Sequence, residues 1–424
     1  MDAEILNGAY DGISNHCNSQ YPLKYRVKTP PQHRRATFDS TLCAACRQAL
    51  FLGMIIEKNG LRPSEKKASM IDETLLYLHI PFCDSKCHYC SFNSYVDRFE
   101  LKKSYMEAVT RQLRYDLEKY DIKKGELATL FIGGGTPSTI EPALYEPFFE
   151  VVEGYLREDA EITSEANPNS ATKRWLEGMK ELGVNRISFG VQSFFDDKLR
   201  LLGRAHRAIE AIKAVEIAKE CGFKHISIDL IYATMLDTPE RVESEIEEAL
   251  KLPVDHLSAY ELTIEEGTPF QKRPHVRIDS IEQAKLVRDL LKRSGWMEYE
   301  VSNFGLVQCR HNLGYWKYLP YLGIGSGAVG RMKNSRTYPH RVPERYIEDP
   351  LFKELESLTE EQMLQERVFL GLRSCAGVCK DLLKPGMHER AELLRREKKL
   401  ILKEGVYFNT DYLLSDEIAL FILG

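Results

Sequence analysis

The chain has 424 residues, of which 43% are hydrophobic, enough for two or three domains at roughly 100–200 residues each. Its net charge of −5 argues against a nucleic-acid partner, which usually calls for a strongly basic domain, and no apolar run approaches the ~18 residues of an integral membrane segment. Ten cysteines in so long a chain do not make a disulfide scaffold, and the opening Met-Asp-Ala-Glu-Ile-Leu lacks the layout of a secretory signal, so a reducing, cytoplasmic setting is expected.

Residues 1–69 are polar and hold the turn formers Pro30-Pro31 and Asn59-Gly60 together with Cys43-Ala44-Ala45-Cys46. One C-x2-C beside scattered His16, Cys17 and His33 is weak evidence for zinc, which normally takes about four N/S ligands. A poorly ordered extension is expected here, with the compact protein starting near Met70.

From about residue 70 to 300, short β-branched runs alternate with amphipathic stretches. The expected strands are Leu75–Ile80, Thr129–Ile132, Ala160–Glu165, Arg186–Gly190, His225–Ile231 and His256–Leu262. The expected helices include Ser104–Lys119, Thr172–Leu182, Ala208–Glu220 and Pro239–Leu250. In Ala208–Glu220, Ile209, Ile212, Val215 and Ala218 recur at helical spacing. Such alternation builds parallel βα units. The fold class is therefore α/β, a partial (βα)6 barrel whose working residues belong at the C-terminal ends of its strands.

Directly after the first expected strand runs Cys83-Asp84-Ser85-Lys86-Cys87-His88-Tyr89-Cys90. Three thiols so close together converge only if the chain curls around something. Soft sulfur ligands select zinc, copper(I) or iron–sulfur clusters. Zinc would want a second pair at a suitable spacing, and none follows. A cubane of about four irons held by three cysteines keeps one iron open, as S-adenosylmethionine (SAM) radical chemistry requires. Plain buried thiols and zinc are the competing readings.

Other candidates end successive strands. Gly133-Gly134-Gly135-Thr136-Pro137 follows the second, where glycines let backbone groups approach a ligand closely. Glu165, in Glu165-Ala166-Asn167-Pro168, ends the third and can take an ammonium or ribose hydroxyls. Gln192, in Gly190-Val191-Gln192-Ser193-Phe194, ends the fourth. Arg204 follows in Leu202-Gly203-Arg204-Ala205-His206 with a fork suited to a carboxylate, and Asp229 lies in the fifth strand. Singly, each reads as an ordinary polar group; their shared rim is the signal.

Residues 301–355 carry Cys309-Arg310-His311-Asn312-Leu313-Gly314-Tyr315-Trp316 and Gly323-Ile324-Gly325-Ser326-Gly327-Ala328, and are expected to close the barrel. By residue type alone, His311 reads first as a core histidine. In residues 356–424, Glu361–Leu372 and His388–Lys399 read as helices. Gly405–Phe408 and Tyr412–Leu414 read as a strand pair. Together these form a small C-terminal α+β winged-helix-like domain.

The combination resembles the radical SAM superfamily over about residues 70–424. His79-Ile80-Pro81-Phe82-Cys83, the Gly-Gly-Gly-Thr-Pro loop, Gly-Val-Gln-Ser-Phe and Leu-Gly-Arg-x-His narrow the likeness to the oxygen-independent coproporphyrinogen III oxidase-like family, which includes a haem-chaperone HemW branch. The resemblance implies a [4Fe–4S] cluster on Cys83, Cys87 and Cys90. It implies SAM contacts at Tyr77, Gly134, Gly135, Thr136, Glu165, Gln192, Arg204 and Asp229.

Two features divide that family. The oxidase has a further cysteine two residues after the third, where Phe92 stands in this chain. The chaperone branch has the haem-binding signature His-Asn-x-x-Tyr-Trp, which His311–Trp316 matches in full. That match implies haem contacts at His311, Tyr315 and Trp316, a porphyrin cargo passed to haem-accepting apoproteins, and a reductant for the cluster. The alternative is the oxidase, which decarboxylates two propionates of coproporphyrinogen III; an unrelated radical SAM enzyme is a third reading. The chain departs from the family at Tyr232-Ala233-Thr234-Met235, where relatives usually run Tyr-Gly-Leu-Pro, and in residues 1–69.

Overall fold

The computed structural model describes residues 73–279 and 281–424, which belong to one compact unit. The expected extension and its Cys43–Cys46 pair lie outside the described residues.

Six strands run parallel and side by side in chain order: β1 (Thr74–Ile80), β2 (Leu127–Gly134), β3 (Leu156–Ala166), β4 (Arg186–Gln192), β5 (His225–Tyr232) and β6 (His256–Glu261). They are the six read from the sequence, the widest miss being the start of β3. Helices α1 (Lys102–Lys119), α2 (Pro142–Val152), α3 (Lys173–Glu181), α4 (Asp196–Leu202), α5 (Ala208–Glu220) and α6 (Pro239–Lys251) connect them. Every residue of β1 is buried, as expected for a strand covered on both faces. Leu76, Leu78 and Ile80 join the main core under the helices. Leu75 and Tyr77 point the other way, into small clusters with Tyr315 and Cys309 respectively.

Beyond α7 (Ile281–Arg293), the segment expected to close the barrel lengthens the sheet at both edges. β7 (Met297–Glu298) and β8 (Asn303–Gly305) extend the β6 side. After α8 (Arg310–Trp316), β9 (Tyr321–Ile324) pairs parallel with β1. β10 (Gly330–Met332), β11 (Ser335–Pro339) and β12 (Lys353–Ser357) follow it outward, with α9 (Pro343–Glu348) between the last two. The result is a twelve-stranded open sheet with β12 and β7 at its ends. Among the described residues, α8 packs on the inner side of β1 and β2.

The C-terminal part has α10 (Glu360–Leu372), β13 (Val378–Cys379), α11 (Pro385–Arg396), β14 (Leu400–Lys403), β15 (Val406–Asn409) and α12 (Ser415–Leu423). Its three-stranded sheet, ordered β13-β15-β14, with three helices, is the winged-helix-like layout. The expected strand pair is shifted. Its hairpin is β14–β15 around Glu404 and Gly405, whose φ values of 48° and 79° suit a two-residue turn. Tyr412–Leu414 is a single 3-10 turn, because the Asp411 side chain accepts from Leu413 N and bends the chain there.

Candidate functional site

The loop after β1 is held from both sides. Tyr95 N donates to Pro81 O (2.7 Å) and Cys83 N to Tyr95 O (3.0 Å), while Thr136 N reaches Phe82 O (2.7 Å). On the other flank His88 N donates to Leu202 O (3.0 Å), and the His88 ring meets Leu201 O through Nδ1 (2.9 Å). So pinned, Cys83, Cys87 and Cys90 line one open cavity at the C-terminal ends of the strands. Burial pushes the Cys83 thiol up and the Cys90 thiol up to about 11. Lys86, beside both, pulls the other way, and its Nζ is anchored on Phe92 O (2.7 Å) and Ser94 Oγ (2.7 Å). Phe92 itself lines the cavity.

Seven of the eight residues expected to contact SAM line that same cavity: Gly134, Gly135, Thr136, Glu165, Gln192, Arg204 and Asp229. Tyr77 does not. Its hydroxyl pairs with His79 Nδ1 (3.0 Å). Gly134 has φ +110° and a Cβ there would lie 2.3 Å from the His79 ring. Only glycine fits that approach. Its N–H donates to Glu165 Oε2 (3.1 Å). Burial first, and then the charge of Asp229, raise the Glu165 carboxyl to about 8. Asp229 is raised to about 6 by burial, eased by the Ser258 and Ser188 hydroxyls and by Arg204. Two carboxyls held this far above their usual range form a wall suited to a cation or to hydroxyl donors.

Sequence reading missed the residue that ties the rim together. Asn167 Nδ2 donates to Thr136 Oγ1 (3.0 Å), whose hydroxyl donates to Cys83 Sγ (3.4 Å). Asn167 Oδ1 accepts from Arg204 Nη2 (2.6 Å), and Arg204 Nη1 reaches Cys87 Sγ (3.3 Å). A polar chain thus runs from one thiol to another through three strand ends. Asn167 sat inside the Glu-Ala-Asn-Pro motif, so the signal was present. Beneath Gln192, whose φ is +67°, Ser193 bonds Glu245. Fully buried Lys198 pairs there with Asp237 and Glu245 (2.7 Å each).

The second motif lies deeper. Cys309 and Asn312 line an inner chamber that shares Glu165, Ser188, Asp229 and Tyr260 with the cysteine cavity. His311 is fully buried. Its Nδ1 pairs with Thr129 Oγ1 (2.7 Å), its Nε2 with Tyr315 Oη (2.9 Å), and its ring stacks on Phe131 at 5.0 Å. Tyr315 and Trp316 are each 3% exposed. Glu161, another residue the sequence did not single out, seats the helix. Its carboxylate accepts from Arg310 N (3.1 Å) and His311 N (3.0 Å) and faces buried Arg186 at 3.6 Å.

The radical SAM superfamily profile matches residues 77–252. The chain is 34% identical over 321 residues to the haem chaperone HemW of Bacillus subtilis strain 168, covering 72% of this chain and 84% of that protein. It is 34% identical over 341 residues to HemW of Escherichia coli K12, covering 74% and 89%. The chain belongs to the HemW family. The zebrafish mitochondrial radical S-adenosyl methionine domain-containing protein 1 is 32% identical over 80% of this chain and 79% of its own. Among solved structures, coproporphyrinogen III oxidase (HemN) from Escherichia coli superposes with a TM-score of 0.69 at 20% identity, over 84% of this chain and 91% of that one. At that identity the likeness is one of fold.

For the cofactors that radical SAM membership brings, a [4Fe–4S] cluster and SAM, the residues present fit. Three thiols share one cavity, two carboxyls wait in its wall, and the Arg204 Nε beside them is buried with no partner among the described residues. For haem held by the HemW signature, the seated helix does not fit. Both ring nitrogens of His311 are engaged, and neither Tyr315 nor Trp316 presents a face to a porphyrin.

Proposed function

We propose that this protein is a haem chaperone that binds haem and passes it to haem-accepting apoproteins in a reducing, cytoplasmic setting. Its cluster site is Cys83, Cys87 and Cys90, and its SAM site is Gly134–Thr136, Glu165, Gln192, Arg204 and Asp229. When bound, the cluster supplies single electrons and one iron with an open position. Around it, Lys86 favours the thiolate forms of Cys83 and Cys90 that ligation needs, Arg204 Nη1 reaches Cys87 Sγ, and Glu165 and Asp229 supply the acceptors for the cationic cofactor. A cellular reductant completes the set.

Identity to HemW over most of both chains carries this reading. Phe92, lining the cavity where the oxidase has its further cysteine, supports it over oxidation of coproporphyrinogen III. The test is a paired assay on anaerobically reconstituted protein. Haem should titrate to a one-to-one end point and move to an added apo-haem protein. Coproporphyrinogen III, with SAM and a strong reductant, should release no carbon dioxide. Multiple turnovers to protoporphyrinogen IX would overturn the chaperone reading in favour of the oxidase.

A further inference from the structure

Lys198, on α4, is fully buried, and its Nζ lies 2.7 Å from both Asp237 Oδ1 and Glu245 Oε2. The two carboxylates come from different elements. Asp237 belongs to the turn after β5, where its other oxygen accepts from Thr234 N and Thr234 Oγ1 (2.8 Å each). Glu245 is on α6, and its other oxygen accepts from Ser193 Oγ and from Phe194 N (3.3 Å) in the turn after β4. One ammonium thereby joins α4, α6 and the turns that end two neighbouring strands.

Both turns hold a residue in the left-handed region, Gln192 at φ +67° and Ala233 at φ +64°. Side chains rarely adopt that conformation, and it persists only where the surroundings over-determine it. Gln192, which lines the cysteine cavity, directly precedes the clamped Ser193. Ala233 N donates to Gln283 Oε1 (3.1 Å), and Gln283 Nε2 donates to Asp237 O (3.0 Å), which closes the second turn onto the same carboxylate residue. The far end of α4, about 6 Å along the helix from Lys198, meets the cysteine loop. Leu202 O accepts from His88 N (3.0 Å) and Leu201 O from the His88 ring (2.9 Å). Gly203, at φ +72°, passes so close that a Cβ would lie 2.9 Å from that ring. Arg204 then reaches Cys87 Sγ (3.3 Å).

We propose that Lys198 is a positioning residue for the cofactor site. Its ammonium fixes α4 against the turns after β4 and β5, and so sets Gln192, Arg204 and the His88 side of the cysteine loop for SAM. Apolar residues of similar volume often stabilise a core as well as a buried ion pair does. What an ammonium bonded to two carboxylates adds is direction, because charge-assisted hydrogen bonds are short and geometrically specific. Here that direction is passed on by a single short helix to a cluster cysteine and a cavity-lining arginine.

The inference rests on the assignment of the SAM site and is tested apart from it. SAM is titrated calorimetrically into the anaerobically reconstituted full chain and into Lys198→Met, Ser193→Ala and Lys353→Met variants, each checked for native circular dichroism and for iron and sulfide. Lys353 is the comparison, a lysine buried against Asp116 of α1 and absent from the cavity lining. Lys198→Met should bind SAM roughly tenfold or more weakly, as for the loss of one good hydrogen bond to a charged group. Ser193→Ala should weaken SAM in the same direction, and Lys353→Met should bind it like the unaltered chain. The resonance spectrum of the reduced cluster should respond to SAM at correspondingly higher concentration in Lys198→Met. Hydrogen exchange before reconstitution should quicken at the His88 amide in Lys198→Met and not in Lys353→Met. If Lys198→Met does not fold, Ser193→Ala decides alone. Unchanged SAM affinity in folded Lys198→Met or in Ser193→Ala, or an equal loss in Lys353→Met, would overturn the inference while leaving the SAM site in place. Failure of the unaltered, cluster-loaded chain to bind SAM would instead defeat the assignment of that site, and this inference with it.

Discussion

Glu165 illustrates what a single side chain at the rim must do. Its carboxyl is raised to about 8, chiefly by burial. The folded state therefore prefers it protonated, so its contribution to stability is fully present below the unfolded value of about 4.3 and is lost as pH rises through about 8. A cationic or hydroxyl-donating cofactor needs the ionised form, and pulls the balance the other way. SAM affinity should accordingly rise several-fold between pH 6 and pH 8, and Glu165→Gln should flatten that profile while leaving iron and sulfide content unchanged. Calorimetry at the two pH values decides it; a Gln variant with the same pH slope would remove Glu165 from the site. Neighbouring residues show the reach of sequence reading at this scale. Glu165, Gln192 and Asp229 were legible because each ends a strand. Asn167 was not singled out because its role lies wholly in contacts to Thr136 and Arg204, on other strands. Ala233, standing where relatives usually have glycine, keeps φ at +64°, and Gln283 Oε1 and Ile278 N hold its peptide groups at 3.1 and 2.9 Å. The missing glycine thus does not undo the turn.

Among the elements, α8 has its N-terminus tied down by a residue far off in sequence. Glu161 on β3 accepts the Arg310 and His311 amides and balances Arg186, which is 1% exposed. Removing one partner of a buried pair leaves an uncompensated charge and typically costs about 3–5 kcal/mol. Glu161→Ala should therefore lower stability in urea by about that amount and speed hydrogen exchange at the Arg310 and His311 amides. Glu161→Gln, which keeps an acceptor, should lose less. Equal stability in all three proteins would show that α8 is held by its apolar contacts alone. No local pattern announces such a seat. The six central strands were legible because each is an apolar or β-branched run bounded by helical periodicity. Helix α4 was missed because seven residues show too little periodicity, and β14 because it offers only the three-residue apolar run Leu400–Leu402 between Lys399 and Lys403.

For the molecule as a whole, the central sheet and its helices were legible and the two sheet edges were not. β7 to β12 are strands of two to five residues whose pairing is set by partners as distant as β1 and Tyr321, and no window of sequence contains both. The same topology makes a prediction about the chain's minimum. The core begins at β1, where Leu76, Leu78 and Ile80 enter the main cluster, and β1 is central, paired with β2 on one side and β9 on the other. The cysteine cavity is lined from Cys83 to Tyr260, and the C-terminal sheet is built from residues 378–409. Residues 1–69 show no apolar periodicity that would demand a place in the core. A chain shortened to start at Met70 should fold with an unfolding midpoint close to that of the full chain and take up the same iron and sulfide per mole on anaerobic reconstitution. Insolubility of the shortened chain, or a cluster yield reduced by half or more, would show that residues 1–69 contribute to the barrel or to the cysteine loop.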